Sequence, residues 1–281
     1  MPLEEKITKY KDVGIDIKKI KIIQDHIGKN IEKTHQFLNF GKVISGFGHY
    51  AGLIDIGHDK VMALHTDGVG SKILIAQLLK KYDTIGIDCI AMNVNDVVCV
   101  GSQPIGYLSY IALQKTNDLL LKEITKGLVK GAKLSNIAIV GGETAILSNI
   151  ITGEEENHNF DLAGMIVGII NNKKKIILGN KIKTGDVIIG INSSGLHSNG
   201  YTLARKILLE KYSIDDYPEY LSTSLGKELI KPTMIYSKAI LKLIDNFDTA
   251  VIHGLSHITG GAFTKLKRLN ANVDYILDSL P

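Results

Sequence analysis

The pattern of apolar and polar positions along the chain centres on one long apolar segment. Apolar residues fill most of 85–100, and the polar side chains Asn93, Asn95 and Asp96 stand close together inside it. A polar side chain in such a segment needs a hydrogen-bond partner or an ion. Helical spacing of the apolar positions predicts a mostly buried helix that ends before Gly101.

Asp96 falls near the C-terminal end of this predicted helix. The helix dipole at that end disfavours a carboxylate, and a bound cation would make the position favourable. An aspartate that caps a local turn fits the same residues. On this segment alone, a cation-binding aspartate and a turn-capping aspartate are equally good interpretations of Asp96.

Two further segments place a carboxylate and glycines after an apolar run. A predicted strand leads into His65-Thr66-Asp67-Gly68, and another leads into Val140-Gly141-Gly142-Glu143. A strand, a glycine turn with an acid and a helix start are typical of a site for a metal-bound phosphate. The spacing is not that of a P-loop. Together Asp67, Asp96 and Glu143 predict one Mg²⁺-nucleotide site.

The other apolar runs alternate between strand-like and helix-like spacing, which predicts an α/β protein. Predicted strands cover 51–56, 61–66, 104–113, 137–140, 162–170, 187–191, 250–253 and 272–277. Predicted helices cover 17–37, 72–81, 118–134, 201–211, 231–247 and 262–269. We expect the first helix to pack on the N-terminal domain. The charged segment 171–175 is the predicted linker between domains 1–171 and 172–281.

Two glycine-rich loops in the C-terminal half carry histidines. His197 stands before predicted helix 201–211, and the free N–H groups of a helix start attract anions. A capped helix with a mobile loop is the alternative. His257 stands before predicted helix 262–269, where a substrate contact or an acid/base group fits better than a metal ligand. A buried core histidine remains an alternative for His253.

Composition narrows the class of protein. The 281 residues are 44% hydrophobic and 22% charged, with a net charge of +4, which is ordinary for a soluble protein with an anionic substrate. A basic stripe with interleaved aromatic residues is lacking, so we expect no nucleic-acid partner. Cys89 and Cys99 lie in the central apolar segment and suit a reducing compartment. We expect no membrane span and a cytoplasmic location.

Eight segments in order resemble the aminoimidazole ribonucleotide synthetase (phosphoribosylformylglycinamidine cyclo-ligase) family. These segments, which span nearly all of the chain, are Tyr10–Asp16, Gly46–Gly48, Thr66–Lys72, Asp83–Asp88, Asn95–Asp96, Gly141–Ala145, Gly195–Tyr201 and His257–Gly261. Asp96 to Pro104 is similar to the Asp-x4-Gly-Ala-x-Pro signature of the wider superfamily. The His-Ser-Asn-Gly-Tyr segment at 197–201 narrows the resemblance to this family.

The resemblance implies a two-domain α/β fold. Residues 1–171 would form an ATP-binding domain whose β-sheet pairs across a homodimer, and residues 172–281 a substrate-side α/β domain facing it across a cleft. The implied reaction is ATP-dependent cyclisation of formylglycinamidine ribonucleotide to aminoimidazole ribonucleotide in purine synthesis. ATP and Mg²⁺ are the implied cofactors, with a monovalent cation as a further candidate.

The same resemblance implies roles for individual residues. The implied catalytic residues are His257, His197 and Lys72. The implied ATP contacts are Gly46, Gly48, Thr66, Asp67, Gly68, Asp96, Gly142 and Glu143. The implied substrate contacts are His197, Ser198 and Asn199. The implied Mg²⁺ ligands are Asp67, Asp96 and Glu143.

The chain departs from the family pattern in three places. Ser102 replaces the signature alanine, and residues 146–149 replace the usual Glu-Met-Pro-Gly after Glu143. Family chains also continue beyond this chain's end, so we expect an incomplete second domain with an open sheet edge, ending on strand 272–277 and a turn at 278–281. Two other functions remain open: another ATP-using enzyme of the superfamily, or an ATP-binding partner subunit without catalysis.

Overall fold

The structure is a computed structural model that describes residues 9–14, 16–153 and 155–278. The described α-helices are α1 Ile17–Ile31, α2 Ile73–Leu79, α3 Ile85–Val98, α4 Asp118–Ser135, α5 Tyr201–Leu209, α6 Leu225–Leu229 and α7 Ser237–Asn246. The strands are β1 Lys42–Val43, β2 Gly52–Gly57, β3 Lys60–Gly68, β4 Gln103–Leu113, β5 Ala138–Ile146 and β6 Phe160–Ile170. Short 3₁₀ helices cover Tyr10–Val13, Glu32–Phe37, Gly70–Lys72, Lys173–Lys175 and Ala262–Arg268. The predicted turn at 278–281 lies outside the described residues apart from Asp278.

The six strands form one mixed sheet in the order β1-β2-β3-β6-β4-β5. All neighbours are antiparallel except β4 and β5, which are parallel and are connected through α4. A parallel pair requires such a crossover, since its two strands start at the same edge. Helix α3 packs on β3, β4 and β6 and against α4. The mixed α/β architecture expected from the sequence is confirmed.

Helix α3 is the centre of the core, as its apolar pattern predicts. All of its residues are buried, including Asn93, Asn95 and Asp96. It packs closely against α4 because glycine faces glycine at the crossing. A Cβ on Gly86 would lie 2.7 Å from the carbonyl carbon of Gly127. Such close approach of two backbones leaves no room for a side chain.

The prediction that residues 17–37 form one helix packed on the domain is wrong. Helix α1 ends at Ile31 and a 3₁₀ helix follows. Its apolar positions are exposed, and Ile22 is 69% accessible. The contact that holds this region is local: Phe47 packs on Gly28 and its N–H bonds Glu32 Oε1 at 3.1 Å. Helical periodicity correctly predicts that residues 17–31 form a helix. It does not predict whether another part of the chain packs on the apolar face of that helix.

The predicted strands at 187–191, 250–253 and 272–277 do not form within the described residues. Residues 187–191 carry no helix or strand, and Ile189 is 84% accessible. A strand exists only when a neighbouring strand supplies its hydrogen bonds, and none lies beside these segments among the described residues. The C-terminal half is instead built from α5, α6, α7 and ordered loops that pack against α2 and α3.

Two predicted boundaries, the end of β5 and the start of α7, differ from the structure. Strand β5 was predicted to end at the glycines near 140, but it continues through Glu143 to Ile146. The predicted helix 231–247 starts only at Ser237. The predicted linker begins one residue after the end of β6 and contains the 3₁₀ helix Lys173–Lys175. None of the described helices combines the length and apolar character that a membrane crossing needs.

Candidate active site

The candidate site is built on adjoining parts of β3 and α3. His65 and Asp67 are two residues apart on β3, so their side chains point to the same face of the sheet. Asn93 of α3 fixes this strand to the helix: its Oδ1 accepts the Asp67 N–H at 3.1 Å, and its Nδ2 donates to the Asp67 carbonyl at 3.1 Å. Asp67 is therefore held in register with α3.

Asp96 lies three residues beyond Asn93 on α3, with only 4% of its side chain exposed. His257, from the C-terminal half, donates its Nδ1–H to Asp96 Oδ1 at 2.6 Å. His65 Nε2 lies 3.6 Å from the other oxygen, Oδ2. Burial alone raises the pKa of Asp96, but the hydrogen bond from His257 and the positive charges around it bring the pKa below its usual value. Asp96 is therefore a carboxylate in the folded protein.

Asp67 has the opposite shift. Burial raises the pKa of Asp67 and the nearby Asp96 charge raises it further, while the hydrogen bond from the Gly68 N–H and the charge of His65 oppose the rise. The ammonium group of Lys265 donates to Thr259 Oγ1 and lies over the ring of Tyr50. Burial lowers the pKa of Lys265, and the negative charges of Asp96 and Asp67 oppose that shift. Two neighbouring carboxylates in a partly desolvated site favour a bound cation.

The tautomer of His257 follows from its neighbours. A carboxylate only accepts, so Nδ1 carries the proton toward Asp96. Asn95 Nδ2 lies 3.4 Å from His257 Nε2 and donates toward it, and Asn95 Nδ2 also bonds the Met234 carbonyl at 2.9 Å. His257 Nε2 is then an acceptor. His253, by contrast, bonds Asp186 at 2.6 Å, away from Asp96.

His197 is neutral and buried. Its Nε2 accepts the N–H of Ser194 at 3.2 Å and of Met234 at 3.5 Å. Burial lowers the pKa of His197 to about 4, and the positive charge of Lys72 acts in the same direction. Its backbone has a φ of 63°, in the left-handed region that few residues other than glycine and asparagine adopt. The loop around Gly195 and Gly200 makes this turn.

The two residues after His197 face the protein interior. Ser198 Oγ donates to Asp88 Oδ1 at 3.3 Å and lies 3.0 Å from Thr233 Oγ1. Asn199 Nδ2 contacts the sulfur of Met92 at 3.8 Å. The structure therefore places Ser198 in a buried network that joins the two halves of the chain.

Lys72 belongs to that same network and has no exposed surface. Its Nζ bonds Asp88 Oδ1 at 2.9 Å and the Lys231 carbonyl at 2.5 Å, and it lies over the ring of Tyr201. Burial lowers the pKa of Lys72 and raises the pKa of Asp88, while their mutual attraction opposes both shifts. The ammonium of Lys72 is therefore enclosed within this chain, and the catalytic role that the resemblance implies for Lys72 stays a prediction.

Glu143 is not brought to the other two carboxylates. Asp67 pairs with Gly164, Gly164 with Ser109, and Ser109 with Gly142, so Glu143 lies about three strands away. Three strand spacings amount to roughly 14 Å. Consistently, no cluster of three metal-ligating side chains occurs among the described residues. The structure of one chain therefore does not support the prediction that Asp67, Asp96 and Glu143 bind the same Mg²⁺ ion.

The predicted glycine and threonine contacts occupy different surroundings. A Cβ on Gly46 or Gly48 would meet no atom within 4 Å, so that loop is open to a ligand. Gly68 N–H bonds Asp67 Oδ1 at 2.8 Å. Thr66 lies on the opposite face from Asp67 and bonds the Gly164 carbonyl. Gly142 packs so closely on Ser109 that a side chain would collide with it.

Sequence reasoning missed four residues of this region: His65, Asp88, Asn93 and Lys265. The spacing of His65 and Asp67 on one strand face was a signal for His65. Asn93 stood inside the apolar segment as an unexplained polar residue. Lys265 gave no signal, because its approach to Asp96 depends on how the chain after residue 261 returns to α3.

The sequence matches two family models. The model for the N-terminal domain of AIR synthase related protein covers residues 48–170, and the model for the C-terminal domain covers residues 183–278. A solved structure described as AaThiL complexed with AMPPCP and TMP resembles the chain with a TM-score of 0.52 at 17% identity. That match covers 81% of this chain and 65% of that chain, and it supports the fold alone.

Relatives are close in sequence. The phosphoribosylformylglycinamidine cyclo-ligase of Methanobrevibacter smithii is 47% identical over 275 residues, which is 97% of this chain and 77% of that protein. The protein of the same name from Pyrococcus furiosus is 47% identical over 262 residues, 92% of this chain and 74% of that protein. The chain therefore belongs to the AIR synthase related family, and within it to the phosphoribosylformylglycinamidine cyclo-ligases.

Proposed function

We propose that this chain is a ligase that uses ATP to cyclise formylglycinamidine ribonucleotide to aminoimidazole ribonucleotide, with release of ADP and phosphate. The observation that carries the proposal is the hydrogen-bonded pair of Asp96 and His257 beside Asp67. This group of residues combines carboxylate oxygens, which can bind a cation, with a histidine that can accept a proton. It lies where the two family domains meet. The names of the relatives support the substrate.

The chemistry explains why these groups are needed. An amide oxygen is a poor leaving group, so ATP first phosphorylates it. The neighbouring nitrogen then attacks the activated carbon, a carbon–nitrogen bond forms, and phosphate leaves with the oxygen. Phosphoryl transfer depends on alignment and on neutralisation of charge more than on covalent help from the protein.

Asp67 and Asp96 are the residues that would hold Mg²⁺. Asp96 Oδ1 accepts the His257 hydrogen bond, whereas Oδ2 lies 3.6 Å from His65 Nε2. Two carboxylates are a suitable share of a magnesium coordination shell that phosphate oxygens and water complete. The bound ion would neutralise the charge of the phosphates. We assign the ion to these two residues and leave Glu143 outside it.

His257 is the proposed proton acceptor. Asp96 holds Nδ1–H and stabilises the imidazolium that forms. Nε2 gives up its long 3.4 Å contact with Asn95 Nδ2 and takes the proton that the attacking nitrogen releases. The positive charge of Lys265 acts on both carboxylates. His197 is neutral, is fixed by two backbone N–H groups, and shapes the ribonucleotide side of the site.

Lys72 has a positioning role. It anchors the His197–Asn199 loop through Asp88 and Ser198.

The glycine loop and the substrate loop complete the proposed contacts. Gly46 and Gly48 lie in an open loop that brings backbone N–H groups to the phosphates. Asn199 follows the buried Ser198 and borders the same loop. A monovalent cation and a cytoplasmic location stay predictions.

A homodimer is proposed from the uncovered face of the sheet. Strand β5 is an edge strand, and Val140 on it is 69% accessible. Leu108 and Tyr110 of β4 are also exposed, on the face opposite to α3. Continuous exposed apolar surface of this kind marks an interface.

Light scattering should give a dimer for the wild type and a monomer for Leu108→Glu combined with Tyr110→Arg, whereas Leu119→Glu on exposed α4 should stay dimeric. A monomeric wild type would contradict this assignment.

The activity is tested with Asp96→Asn. The amide still accepts the His257 hydrogen bond, so the fold is kept, but the charge that holds the cation is lost. We expect ATP hydrolysis in the presence of formylglycinamidine ribonucleotide to fall about 100-fold or more. Asp215→Asn, an exposed aspartate, is the control and should be fully active. Normal turnover by Asp96→Asn, or a wild type that hydrolyses ATP equally without the substrate, would refute the proposed function.

A further inference from the structure

The glycine loop, residues 44–51, joins β1 to β2 and is anchored at its base. The Leu53 N–H donates to Ser45 Oγ at 2.8 Å and closes the loop. The proposed phosphate contacts Gly46 and Gly48 lie inside this closure, and a Cβ on either would meet no atom within 4 Å. The base of the loop is therefore fixed, while its tip is open to a ligand.

Tyr50 ties the far side of this loop to the C-terminal half of the chain. Its side chain is fully buried, and its hydroxyl shares a 2.5 Å hydrogen bond with the hydroxyl of Ser256, 206 positions later in the sequence. A buried phenol needs such a partner. Ser256 directly precedes His257, whose Nδ1–H donates to Asp96 Oδ1. One hydrogen bond therefore links the loop with the proposed phosphate contacts to the segment with the proposed proton acceptor.

The ring of Tyr50 makes two further contacts with the same half of the chain. Lys265 Nζ and Arg268 Cζ each lie 5.8 Å from the centre of the ring, within the range of a cation–π interaction. These contacts depend on the ring and not on the hydroxyl. Phenylalanine at position 50 would therefore keep them and would remove only the hydrogen bond to Ser256.

We propose that Tyr50 is a positioning residue that couples the ATP phosphates to His257 during ring closure, an inference that rests on the proposed function. Ring closure needs His257 Nε2 at the attacking nitrogen while the glycine loop holds the phosphates, and a misplacement of about 1 Å can lower a rate about 100-fold. The Tyr50–Ser256 hydrogen bond keeps the two segments in register. We assign the Tyr50 hydroxyl no contact with the reacting atoms, because it acts through Ser256 and the glycine loop.

ATP turnover in the presence of formylglycinamidine ribonucleotide tests the proposal. In Tyr50→Phe we expect kcat to fall about tenfold or more and KM for ATP to change less than about threefold, since the base of the loop and its glycines are kept. Ser256→Ala should show the same loss. The variant with both substitutions should be no slower than either alone, because both remove a single interaction. Tyr275→Phe is the matched control: it removes a tyrosine hydrogen bond to the Asn270 carbonyl and should keep the wild-type kcat.

Amide hydrogen exchange tests the same link without any activity. Losing one hydrogen bond should raise exchange about fivefold at the other end of the link. Ser256→Ala should therefore loosen residues 46–49, and Tyr50→Phe should loosen residues 254–257, while Tyr275→Phe should change neither. Ser256 is only partly buried, so Ser256→Ala decides the question alone if Tyr50→Phe does not fold.

Four results would overturn the proposal: a wild-type kcat in Tyr50→Phe, a loss confined to KM for ATP, a double variant whose loss multiplies those of the single variants, or unchanged exchange at residues 46–49 in Ser256→Ala. A wild type without turnover that depends on formylglycinamidine ribonucleotide would instead refute the proposed function. In that case the exchange measurement still decides whether Tyr50 couples the two segments.

Discussion

His257 Nδ1 lies 2.6 Å from Asp96 Oδ1, and this hydrogen bond joins residues 161 positions apart in the sequence. It crosses from the C-terminal family domain to the buried helix α3 of the N-terminal one. The bond fixes the tautomer of His257 and lowers the pKa of Asp96, so Asp96 is ionised. It occupies Oδ1 of Asp96, and Oδ2 is the oxygen that we propose as a ligand of the cation.

The first prediction separates the two histidines of the loop at 253–257. His257→Ala should lower kcat by a factor on the order of 10²–10⁴, because the proton acceptor is lost, with little change in KM for ATP. His253→Ala is the matched control: His253 bonds Asp186 and not Asp96, so its kcat should stay close to that of the wild type. An unchanged kcat with a raised KM for ATP in His257→Ala would make His257 a nucleotide contact instead.

The second prediction concerns the buried ion pair of Lys72 and Asp88. Lys72→Met leaves Asp88 enclosed, and Asp88 Oδ2 already has no hydrogen-bond partner among the described residues. Breaking one half of a buried pair costs about 3–5 kcal/mol of unfolding free energy, measurable by urea denaturation. Adding Asp88→Asn should recover part of the loss, since the amide oxygen still accepts the Thr233 N–H. A Lys72→Met variant of normal stability but weakened ATP binding would contradict the positioning role and would make Lys72 a contact of ATP.

The third prediction is a pH dependence. His197 has a pKa of about 4 in the folded protein against an ordinary value of 6.5, chiefly because it is buried. The unfolded chain binds this proton more tightly, so the stabilising contribution is complete above pH 6.5 and is lost as the pH falls toward 4. His197→Asn, which tolerates the positive φ, should show a flatter decline of stability over that window. Parallel curves for the two proteins in urea unfolding between pH 7 and pH 4 would contradict the assignment.

The fourth prediction tests the contact between α3 and α4. A Cβ on Gly86 would lie 2.5 Å from the Ile124 carbonyl oxygen, and this atom belongs to rigid helix backbone. Gly86→Ala should therefore destabilise the protein by about 1–3 kcal/mol despite the better helix propensity of alanine. Gly190→Ala is the control, since its Cβ would meet no atom within 4 Å. Equal urea midpoints for the two variants would show that the helices can separate without cost.

The sequence by itself determined the buried central helix, the strands β2, β3, β4 and β6, and the positions of Asp67 and Asp96. Each of these follows from local periodicity, or from a polar residue inside an apolar run, and needs no knowledge of distant residues. The family motifs added His257 and His197, which the structure places in buried, hydrogen-bonded positions.

Only the tertiary structure decided which groups meet. Strand order put Glu143 about three strands from Asp67. The return of the C-terminal half buried Lys72 against Asp88 and placed the charge of Lys265 where it acts on Asp96. It also left the predicted strand at 187–191 unpaired among the described residues. The physical reason is common to these cases: periodicity reports which way a side chain points, whereas hydrogen bonds, ion pairs and strand pairing depend on the partner that the rest of the chain delivers.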